Sequence, residues 1–375
     1  MKNILITGGA GFIGSRLCEK LHEKGYNITV LDNLSEQIHG SVESSLFKKI
    51  KGKSTFIKGD VRNKEDWSRA IKGQDVVVHL AAETGTGQSM YEIEKYNDVN
   101  IMGTAYLLEI LANSTHSVKK IIVASSRAIY GEGKYNCKVH GDKYPLQRKE
   151  KDMEKGEFNP KCDICNLELN LLATDEESKI HPSSIYGINK QQQEQMVMLM
   201  GDSLGIPTVA FRYQNVYGPG QSLSNPYTGI LSIFSTRILN GNNLDIYEDG
   251  LESRDFVFID DVVEATILGI EKEEANGEVF NIGSGIATTV KEVAESLKKF
   301  YNSDIGISIS GKYRLGDIRH NYANLNKAKT LLGFVPRYDF QKGISEFVNW
   351  VKTQEIMEDK YEKSVQELKD KGLMK

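Results

Sequence analysis

Short runs of aliphatic and β-branched residues alternate with helix-forming stretches along the first third of the chain. The predicted strands are 2–7, 27–31, 55–58, 75–80 and 120–124, and the helical stretches between them include 64–72 and 97–113. Strands that alternate with helices at this spacing are typical of a parallel sheet with helices on both faces. The pattern therefore predicts a doubly wound α/β fold.

Three glycines, Gly8, Gly11 and Gly14, separate the first strand from the helix that follows it. Such a turn lets backbone N–H groups and the positive end of the helix approach a pyrophosphate. The second strand ends at Asp32, whose carboxylate can accept hydrogen bonds from a ribose and repels a 2′-phosphate. This order predicts a Rossmann-like site for NAD rather than NADP. The alternative is a glycine turn that only packs a helix against the sheet.

A candidate catalytic group lies further along the chain. Tyr186 and Lys190 are four positions apart in a helix-forming stretch, so both side chains are expected on one helix face. A nearby ammonium and a positive nicotinamide ring would lower the pKa of a phenol from about 10 and make it a useful base. Ser126 ends the fifth strand, where open parallel sheets bind ligands, and can hold a substrate oxygen. The alternative is an ordinary amphipathic helix beside a turn-forming serine.

Composition excludes several other classes of protein. Hydrophobic residues make up 39% and charged residues 26% of the chain, as in an ordinary globular protein. Because 47 basic and 51 acidic side chains give a net charge of −4, we expect no nucleic-acid partner. No apolar run approaches the ~20 residues of a membrane helix, and the apolar strand begins at once after Met1 and Lys2. We therefore expect a cytoplasmic protein with no membrane partner.

With these residues the chain resembles the extended short-chain dehydrogenase/reductase family, in particular its NAD-dependent nucleotide-sugar epimerases and dehydratases. The matching segments are 7–14, Asp32, 60–61, 79–82, Asn100 with 103–104, 125–126, Tyr186 with Lys190, and 212–220. The resemblance extends from residue 1 to about residue 351, apart from one insertion. It implies a smaller α/β lobe for the substrate and a homodimer.

The resemblance also implies roles for individual residues. It implies that Ser126, Tyr186 and Lys190 are catalytic. The residues that it implies for NAD are Gly8, Gly11, Phe12, Ile13, Gly14, Asp32, Asn33, Asp60, Val61, Leu80, Ala81, Ala82, Asn100, Tyr186 and Lys190. Those that it implies for a dTDP-, UDP- or GDP-hexose are Glu83, Thr84, Ser126, Arg127, Asn215, Arg254 and Arg314. Without the family, surface ion pairs are the favoured interpretation of Arg254 and Arg314.

One departure from the family pattern narrows the expected reaction. The 4,6-dehydratases and decarboxylases of this family carry acidic residues after the hydroxyl of the fifth strand, whereas this chain has Arg127 and Ala128. Neither side chain can act as a general acid or base there. We therefore expect an NAD-dependent 4-epimerase with tightly bound NAD and a transient 4-keto sugar. The alternatives are a nucleotide-sugar reductase or dehydrogenase, a 4,6-dehydratase, and a non-catalytic NAD-binding sensor.

A long polar insertion, residues 134–182, separates the fifth strand from the Tyr186 helix. It carries Cys137 and His140 as one pair and Cys162 and Cys165 as another. Two pairs of soft ligands at this spacing are typical of a closed, tetrahedral zinc site with a structural role. The alternatives are free thiols and a redox pair of Cys162 with Cys165. The insertion resembles that of a dTDP-L-rhamnose 4-epimerase-like subgroup.

The predicted domain organisation follows these segments. The NAD-binding domain is 1–133, the insertion is 134–182, and the catalytic helix with its return to the sheet is 183–218. The substrate lobe is 219–351, and from it 255–284 returns to the sheet. A terminal helix follows at 352–375. The terminal helix is rich in Lys and Glu, which favours a solvated helix over a subunit contact.

Overall fold

The computed structural model describes residues 1–39, 44–225, 227 and 229–375. Its strands are β1 (Asn3–Thr7), β2 (Asn27–Asp32), β3 (Thr55–Lys58), β4 (Val76–His79), β5 (Lys120–Ser126), β6 (Tyr135–Cys137), β7 (Gly141–Lys143), β8 (Asn170–Leu171), β9 (Thr208–Tyr213), β10 (Asn215–Tyr217), β11 (Leu244–Ile246), β12 (Ser253–Phe258), β13 (Glu278–Ile282), β14 (Ala287–Thr289), β15 (Ile307–Ile309) and β16 (His320–Asn321). Its α-helices are α1 (Phe12–Glu23), α2 (Glu36–His39), α3 (Ser45–Ile50), α4 (Lys64–Ala70), α5 (Thr86–Ser89), α6 (Ile93–Tyr96), α7 (Gly103–Asn113), α8 (Glu150–Met153), α9 (Ile185–Leu204), α10 (Ile230–Leu239), α11 (Ile259–Glu271), α12 (Val290–Tyr301), α13 (Phe340–Val351) and α14 (Tyr361–Asp370). Short π-helical segments lie at Asn97–Met102 and Ala328–Leu332, and 3₁₀ turns at Arg127–Tyr130 and Glu273–Ala275.

Within the described residues, a seven-stranded sheet runs in the order β13-β9-β5-β4-β1-β2-β3. All its neighbouring strands are parallel. Because helices cover both faces, the inner strands β4, β5 and β9 are buried along their whole length. In β4, for example, three valines and a histidine are all buried. The predicted doubly wound α/β fold is therefore confirmed, and β5 extends beyond its predicted end to Ser126.

Two glycines fix the turn between β1 and α1. Gly8 has a φ of +66°, in the left-handed region that favours glycine. A Cβ on Gly14 would lie 2.3 Å from the carbonyl oxygen of Gly8, so a larger residue does not fit there. The turn therefore stays tight against the sheet and leaves the N-terminal end of α1 open to a ligand.

The smaller lobe begins where β9 ends. In its sheet β12 lies between β10 and β14 and also pairs with β16, while β11 pairs separately with β15. This arrangement differs in part from the predicted return of 255–284 to the main sheet. Residues 253–258 form β12, whose hydrogen bonds are taken by the lobe's own strands, and β13 alone of that segment joins the main sheet.

The insertion, residues 134–182, has its own sheet and its own small core. β6 pairs with β7 on one side and β8 on the other, both antiparallel. Tyr135, Cys137, Cys162 and Leu169 form a buried cluster within it. A connection of this length in a compact domain needs such internal contacts to remain ordered.

The C-terminal segment differs from the solvated helix predicted for 352–375. The helix is confined to α14, and Val365, Leu368 and Met374 are buried against the same chain. The last residues form an isolated antiparallel bridge between Met374 and Arg314, where Tyr313 and Lys375 exchange backbone hydrogen bonds of 3.1 and 3.0 Å. Three buried apolar side chains, although apolar residues are sparse in this part of the sequence, are thus enough to hold the segment against the rest of the chain. No helix in the described part of the chain has the length and apolarity to cross a bilayer.

Candidate active site

A cavity of about 330 Å³ opens at the carboxyl ends of the central strands, and we call it the dinucleotide cavity. The residues predicted for NAD that line it are Gly8, Gly11, Phe12, Ile13, Gly14, Asp32, Asn33, Val61, Leu80, Ala81, Ala82, Tyr186 and Lys190. Glu83, Thr84 and Ser126, predicted for the substrate, also line this cavity. The structure therefore brings the glycine turn and the catalytic helix to one space.

Asp32 lies where a ribose would be held. One carboxylate oxygen accepts the N–H of Ala10 at 3.0 Å and the other accepts the N–H of Leu34 at 2.9 Å. Burial raises the pKa of Asp32, and these two N–H groups oppose that rise. Since each carboxylate oxygen can accept more than one hydrogen bond, Asp32 keeps acceptor capacity for the hydroxyl groups of a ribose.

Two residues predicted for NAD, Asp60 and Asn100, are not among those that line the cavity. Asp60 accepts hydrogen bonds from Asn33 at 2.9 Å and from Arg62 at 2.8 Å, and it thereby orients Asn33. Asn100 is buried and holds the backbone of Glu83, accepting its N–H at 2.8 Å and donating to its carbonyl at 3.1 Å. Both residues therefore hold cavity-lining neighbours in place without lining the cavity themselves.

The three predicted catalytic side chains meet at one wall of the cavity. Tyr186 and Lys190 lie one turn apart at the start of α9, whose N-terminus is capped by the Ser184 hydroxyl. The Lys190 Nζ is 6.0 Å from the centre of the Tyr186 ring and donates to the Ala124 carbonyl at 3.0 Å. The Ser126 hydroxyl is hydrogen-bonded to the Tyr186 phenol. The site thus holds a phenol, a hydroxyl and an amine within reach of one substrate oxygen.

The electrostatics of this wall differ from the sequence-based expectation. Burial raises the pKa of Tyr186, although the hydrogen bond to Ser126 and the charge of Arg127 oppose that rise. Burial also lowers the pKa of Lys190 to about 7, so the amine is not fully protonated at neutral pH. Lys190 by itself therefore does not make Tyr186 a base. Further positive charge, from Arg127 or from a bound nicotinamide ring, is needed.

A buried ion pair seats the catalytic helix on the sheet. Arg212 of β9 donates to both oxygens of Glu194 of α9, at 2.6 and 3.0 Å. The Ser125 hydroxyl of β5 donates to the same carboxylate at 2.6 Å. Because the pair is buried and its hydrogen bonds are geometrically well placed, it fixes the position of Tyr186 relative to Ser126.

An adjoining cavity of about 250 Å³ shares the wall formed by Ser126 and Tyr186. The predicted substrate residues that line it are Thr84, Ser126, Arg127 and Asn215. The Arg127 Nε donates to the Asn215 Oδ1 at 3.0 Å. Burial, together with the nearby charge of Arg254, lowers the pKa of Arg127 to about 10, so it remains a cation at neutral pH.

Arg254 and Arg314 both bind the carboxylate of Asp317. Arg254 binds one oxygen of Asp317 at 3.0 Å and Arg314 binds the other at 2.6 Å. Burial would raise the pKa of Asp317, but the two guanidinium groups hold it well below its usual range. Neither arginine is among the residues that line the two cavities. Arg314 instead lines a small pocket beside Thr86 of α5 and Leu368 of α14.

The insertion reaches this arginine pair through Arg148, a residue that the sequence did not single out. Arg148 is buried, binds Glu248 at 2.8 Å and lies 3.2 Å from Glu132. It also donates to the backbone carbonyl of Asp317 at 3.0 Å. Runs of charge in a polar insertion are usually solvated, so no sequence signal marked this residue. The Glu194–Arg212 pair was not singled out either, because its two residues lie on separate elements, α9 and β9, that only the fold brings together.

The four predicted metal ligands come together in the insertion. Their ligand atoms all lie within 4.8 Å of one another. The Sγ of Cys137 is 3.6 Å from the Nδ1 of His140 and from the Sγ of Cys165, and the Sγ of Cys162 is 3.5 Å from the same nitrogen. Backbone N–H groups of Val139 and His140 point at the Cys137 sulfur, as in a metal-binding knuckle.

Comparison with known proteins agrees with this geometry. The model of the NAD dependent epimerase/dehydratase family matches residues 4–161 and 170–283, and the chain belongs to this family. A dTDP-L-rhamnose 4-epimerase of Burkholderia thailandensis is 34% identical over 352 residues, which cover 93% of this chain and 95% of that protein. A putative UDP-glucose 4-epimerase of Methanocaldococcus jannaschii is 32% identical over 93% of this chain and 98% of its own length.

Solved structures give the same result. The UDP-glucose 4-epimerase of Thermotoga maritima, solved with UDP-glucose, superposes with a TM-score of 0.75 at 32% identity and covers 93% of this chain and 98% of its own. The UDP-glucuronic acid 4-epimerase of Bacillus cereus, solved with UDP-glucuronic acid and NAD, gives a TM-score of 0.76 at 26% identity, over 93% and 99%. The predicted family is therefore confirmed.

The low pKa of Lys190 should appear in the stability of the NAD-free protein. The unfolded chain binds more protons than the folded chain between pH 7 and about 10.4, so the free energy of unfolding gains a term that rises with pH across this range. Lys190→Met should lack that term. Urea unfolding at several pH values measures the free energy of unfolding of the two proteins. The difference between the two free energies should grow from pH 7 to pH 10.

The exposed Lys369→Met variant serves as the matched control, and its pH profile should parallel that of the wild type. Parallel profiles for wild type and Lys190→Met would show that Lys190 is charged in the folded protein.

Proposed function

We propose that this protein is an NAD-dependent nucleotide-diphosphate-sugar 4-epimerase. The observation that carries the proposal is the meeting of Tyr186 and Ser126 at the wall common to the two cavities, with Lys190 beside them in the dinucleotide cavity. One cavity leads from this wall to the glycine turn and the other leads away from it toward Asn215. A dinucleotide and a sugar bound on either side would therefore meet beside the Tyr186 phenol.

The residues of the dinucleotide cavity fit NAD. The tight glycine turn, which a Cβ at Gly14 would push apart at the Gly8 carbonyl, leaves the N-terminal end of α1 open to a pyrophosphate. Asp32 offers acceptor capacity to a ribose, and its charge disfavours a 2′-phosphate. Lys190 would lie beside the second ribose. When bound, NAD supplies the acceptor and donor of hydride at the sugar carbon.

The chain's own residues handle the proton. Tyr186 takes the proton of the C4 hydroxyl as that carbon is oxidised to a ketone, and Ser126 holds the oxygen in place. Arg127 and the positive charge of the oxidised cofactor favour the phenolate that this step needs. The same phenol returns the proton once the keto sugar has presented its opposite face. No redox equivalent is lost, so the cofactor remains bound through turnover.

Epimerisation is favoured over loss of water by the residues after Ser126. The guanidinium of Arg127 and the methyl group of Ala128 occupy positions where a dehydratase needs an acid and a base. A reductase or dehydrogenase remains the second enzymatic candidate, and a non-catalytic NAD sensor the third.

The substrate that we propose is a dTDP-, UDP- or GDP-hexose. Arg127 and Asn215 line the adjoining cavity, and Arg314 lies beside Thr86, which lines the same cavity. Guanidinium groups match the geometry of phosphate oxygens. A diphosphate would compete with Asp317 for Arg314 and Arg254, which are paired with that carboxylate in the protein alone. Glu83, which pairs with Lys95, would shape the boundary between cofactor and sugar.

We further propose a structural zinc ion in the insertion, bound by Cys137, His140, Cys162 and Cys165. The 3.5 and 3.6 Å separations are close to those between neighbouring ligands of a tetrahedral zinc with bond lengths of about 2.0–2.3 Å. Four protein ligands leave no open position for catalysis. The ion would hold together an insertion that also carries Arg148.

A homodimer is the proposed assembly. Ile188 and Leu199 lie eleven positions apart on α9, about three helical turns, and so share one face. They are 39% and 66% exposed, and Met102, beside the adjacent α7, is 41% exposed. Exposed apolar side chains on two packed helices, with the exposed Gln192 and Gln195 between Ile188 and Leu199, suit a two-fold contact with a second copy.

Turnover and the role of Tyr186 can be tested together. Protein with bound NAD should convert a member of a panel of UDP-, dTDP- and GDP-hexoses to its 4-epimer without accumulating NADH. Tyr186→Phe should lower kcat by about 10²-fold or more because the proton acceptor is lost, while the NAD content stays unchanged. The remote Tyr301→Phe variant is the control. Product chromatography and absorbance at the NADH band give the readout.

Other outcomes of this assay would contradict the proposal. Stoichiometric NADH would indicate a dehydrogenase, and a 4-keto-6-deoxy sugar would indicate a dehydratase. Retained NAD with no product from any hexose would indicate a sensor, and a fully active Tyr186→Phe variant would exclude Tyr186 as the base.

Metal analysis tests the zinc site. Protein purified without chelator should contain about one zinc per chain, and Cys162→Ser should lose it because three ligands hold the ion more weakly. Cys18→Ser, which removes the buried cysteine of α1, should keep the metal. A metal-free wild type whose thiols all react freely would exclude the site, and a disulfide between Cys162 and Cys165 would indicate the redox pair.

Light scattering coupled to size exclusion tests the dimer. The wild type should elute as a dimer, and Leu199→Glu should shift it toward a monomer because a charge is placed in the apolar contact. Leu146→Glu, at an equally exposed leucine of the insertion, should leave the mass unchanged. A monomeric wild type would contradict the assembly.

A further inference from the structure

Gln214 is a buried amide whose hydrogen-bonding groups lack partners. It is 5% exposed, and neither its side-chain nitrogen nor its side-chain oxygen has a hydrogen-bonding partner among the described residues. It lies between β9 and β10 and lines both the dinucleotide cavity and the adjoining cavity. Buried polar groups are almost always paired, so an amide in this condition at a cavity wall points to a ligand.

The backbone around Gln214 is firmly held. Its N–H donates to the Ile282 carbonyl at 2.9 Å and so continues the pairing of β9 with β13. Its Cγ lies 2.8 Å from where a Cβ on Gly283 would be, so the side chain packs directly on that glycine. The neighbouring Asn215, by contrast, is already bound to Arg127. Gln214 is therefore a preorganised group whose amide stays free for a bound molecule.

We propose that Gln214 determines specificity by binding the hexose of the nucleotide-sugar, with its amide donating to one hydroxyl beside C4 and accepting from another. This role rests on the proposed function and names a group that selects the sugar. Each of two neighbouring hydroxyl groups can donate and accept a hydrogen bond, so the pair matches the N–H donor and the carbonyl acceptor of a primary amide. A sugar that lacks one of these hydroxyls would leave half of the amide unpaired, which is a costly state in a buried site.

The hexose is favoured over the dinucleotide as the partner for two reasons. Gln214 shares both cavities with Ser126 and Tyr186, which is the place that the reacting carbon must occupy. The adjoining cavity contains Arg127 and Asn215 but none of the glycines of the phosphate turn. A group on this boundary faces the sugar whenever the sugar is close enough to react.

The test compares sugar binding by wild type and Gln214→Met, both loaded with NAD. Calorimetry measures the Kd of UDP, UDP-glucose, dTDP and dTDP-glucose. The ratio of the nucleotide-sugar Kd to the nucleotide Kd should rise about tenfold in the variant, because two hydrogen bonds to the sugar are lost. The Kd of UDP or dTDP and the NAD content should not change. Gln74→Met, at a buried glutamine remote from both cavities, is the control.

Thermal unfolding of the NAD-free protein supplies a second readout. Because Gln214 has no partner to lose, Gln214→Met should melt at the same temperature as the wild type or higher, whereas a structural glutamine would give a lower melting temperature. A lower melting temperature, an unchanged Kd ratio, or a loss of NAD in place of a loss of sugar binding would each overturn the inference. If the wild type turns over a sugar and the variant keeps the wild-type ratio, only this inference fails. If the wild type neither binds nor turns over any member of the panel of UDP-, dTDP- and GDP-hexoses, the proposed function fails with it.

Discussion

The site depends on the seating of one helix, α9, against the inner strands β5 and β9 of the sheet. Glu194 of α9 is held by Arg212 of β9 and Ser125 of β5, and these buried contacts fix the register between helix and strands. One helical turn closer to the N-terminus, Lys190 is tied to the Ala124 carbonyl, and Tyr186 reaches Ser126. Removing one partner of such a pair leaves an uncompensated buried charge, so the arrangement resists small displacements.

Positive charge is distributed on both sides of the reacting wall. Lys190 is buried with a pKa of about 7 and contributes only part of a charge at neutral pH. Arg127 remains a cation on the side of the adjoining cavity, and a cofactor would bring its own charge to the other side. Asp317 pairs with both Arg254 and Arg314, the arginines that we propose for a diphosphate, and Arg148 links this cluster to the insertion. The insertion is thereby coupled to the predicted diphosphate site.

Local sequence patterns predicted the parts of this structure that depend on local chemistry. Gly8 and Gly14 are where a tight turn requires glycine, and the spacing of Tyr186 and Lys190 is a property of any helix. The pairing of Cys137 and His140 with Cys162 and Cys165 followed from ligand spacing in the same way. In each case the neighbours along the chain determine the geometry.

Long-range contacts were not predictable in this way. The partners of Arg148 and Glu194 are distant in sequence, and a buried charge looks like a solvated one until the fold is known. The C-terminal helix was expected to be solvated because its few apolar residues gave no sign of the strand-like contact near Tyr313. Gln214 could not be recognised from the sequence either, because what marks it is an amide with no hydrogen-bonding partner among the described residues.

In the proposed reaction, C4 of a hexose is oxidised and reduced again within one closed site while Tyr186 carries the proton. Turnover of a nucleotide-sugar labelled with deuterium at C4, followed by mass spectrometry and NMR of the epimer, tests it most directly. If the proposed reaction occurs, the deuterium is retained at C4 and no hydrogen from water is incorporated there. Loss of the label to solvent would contradict it.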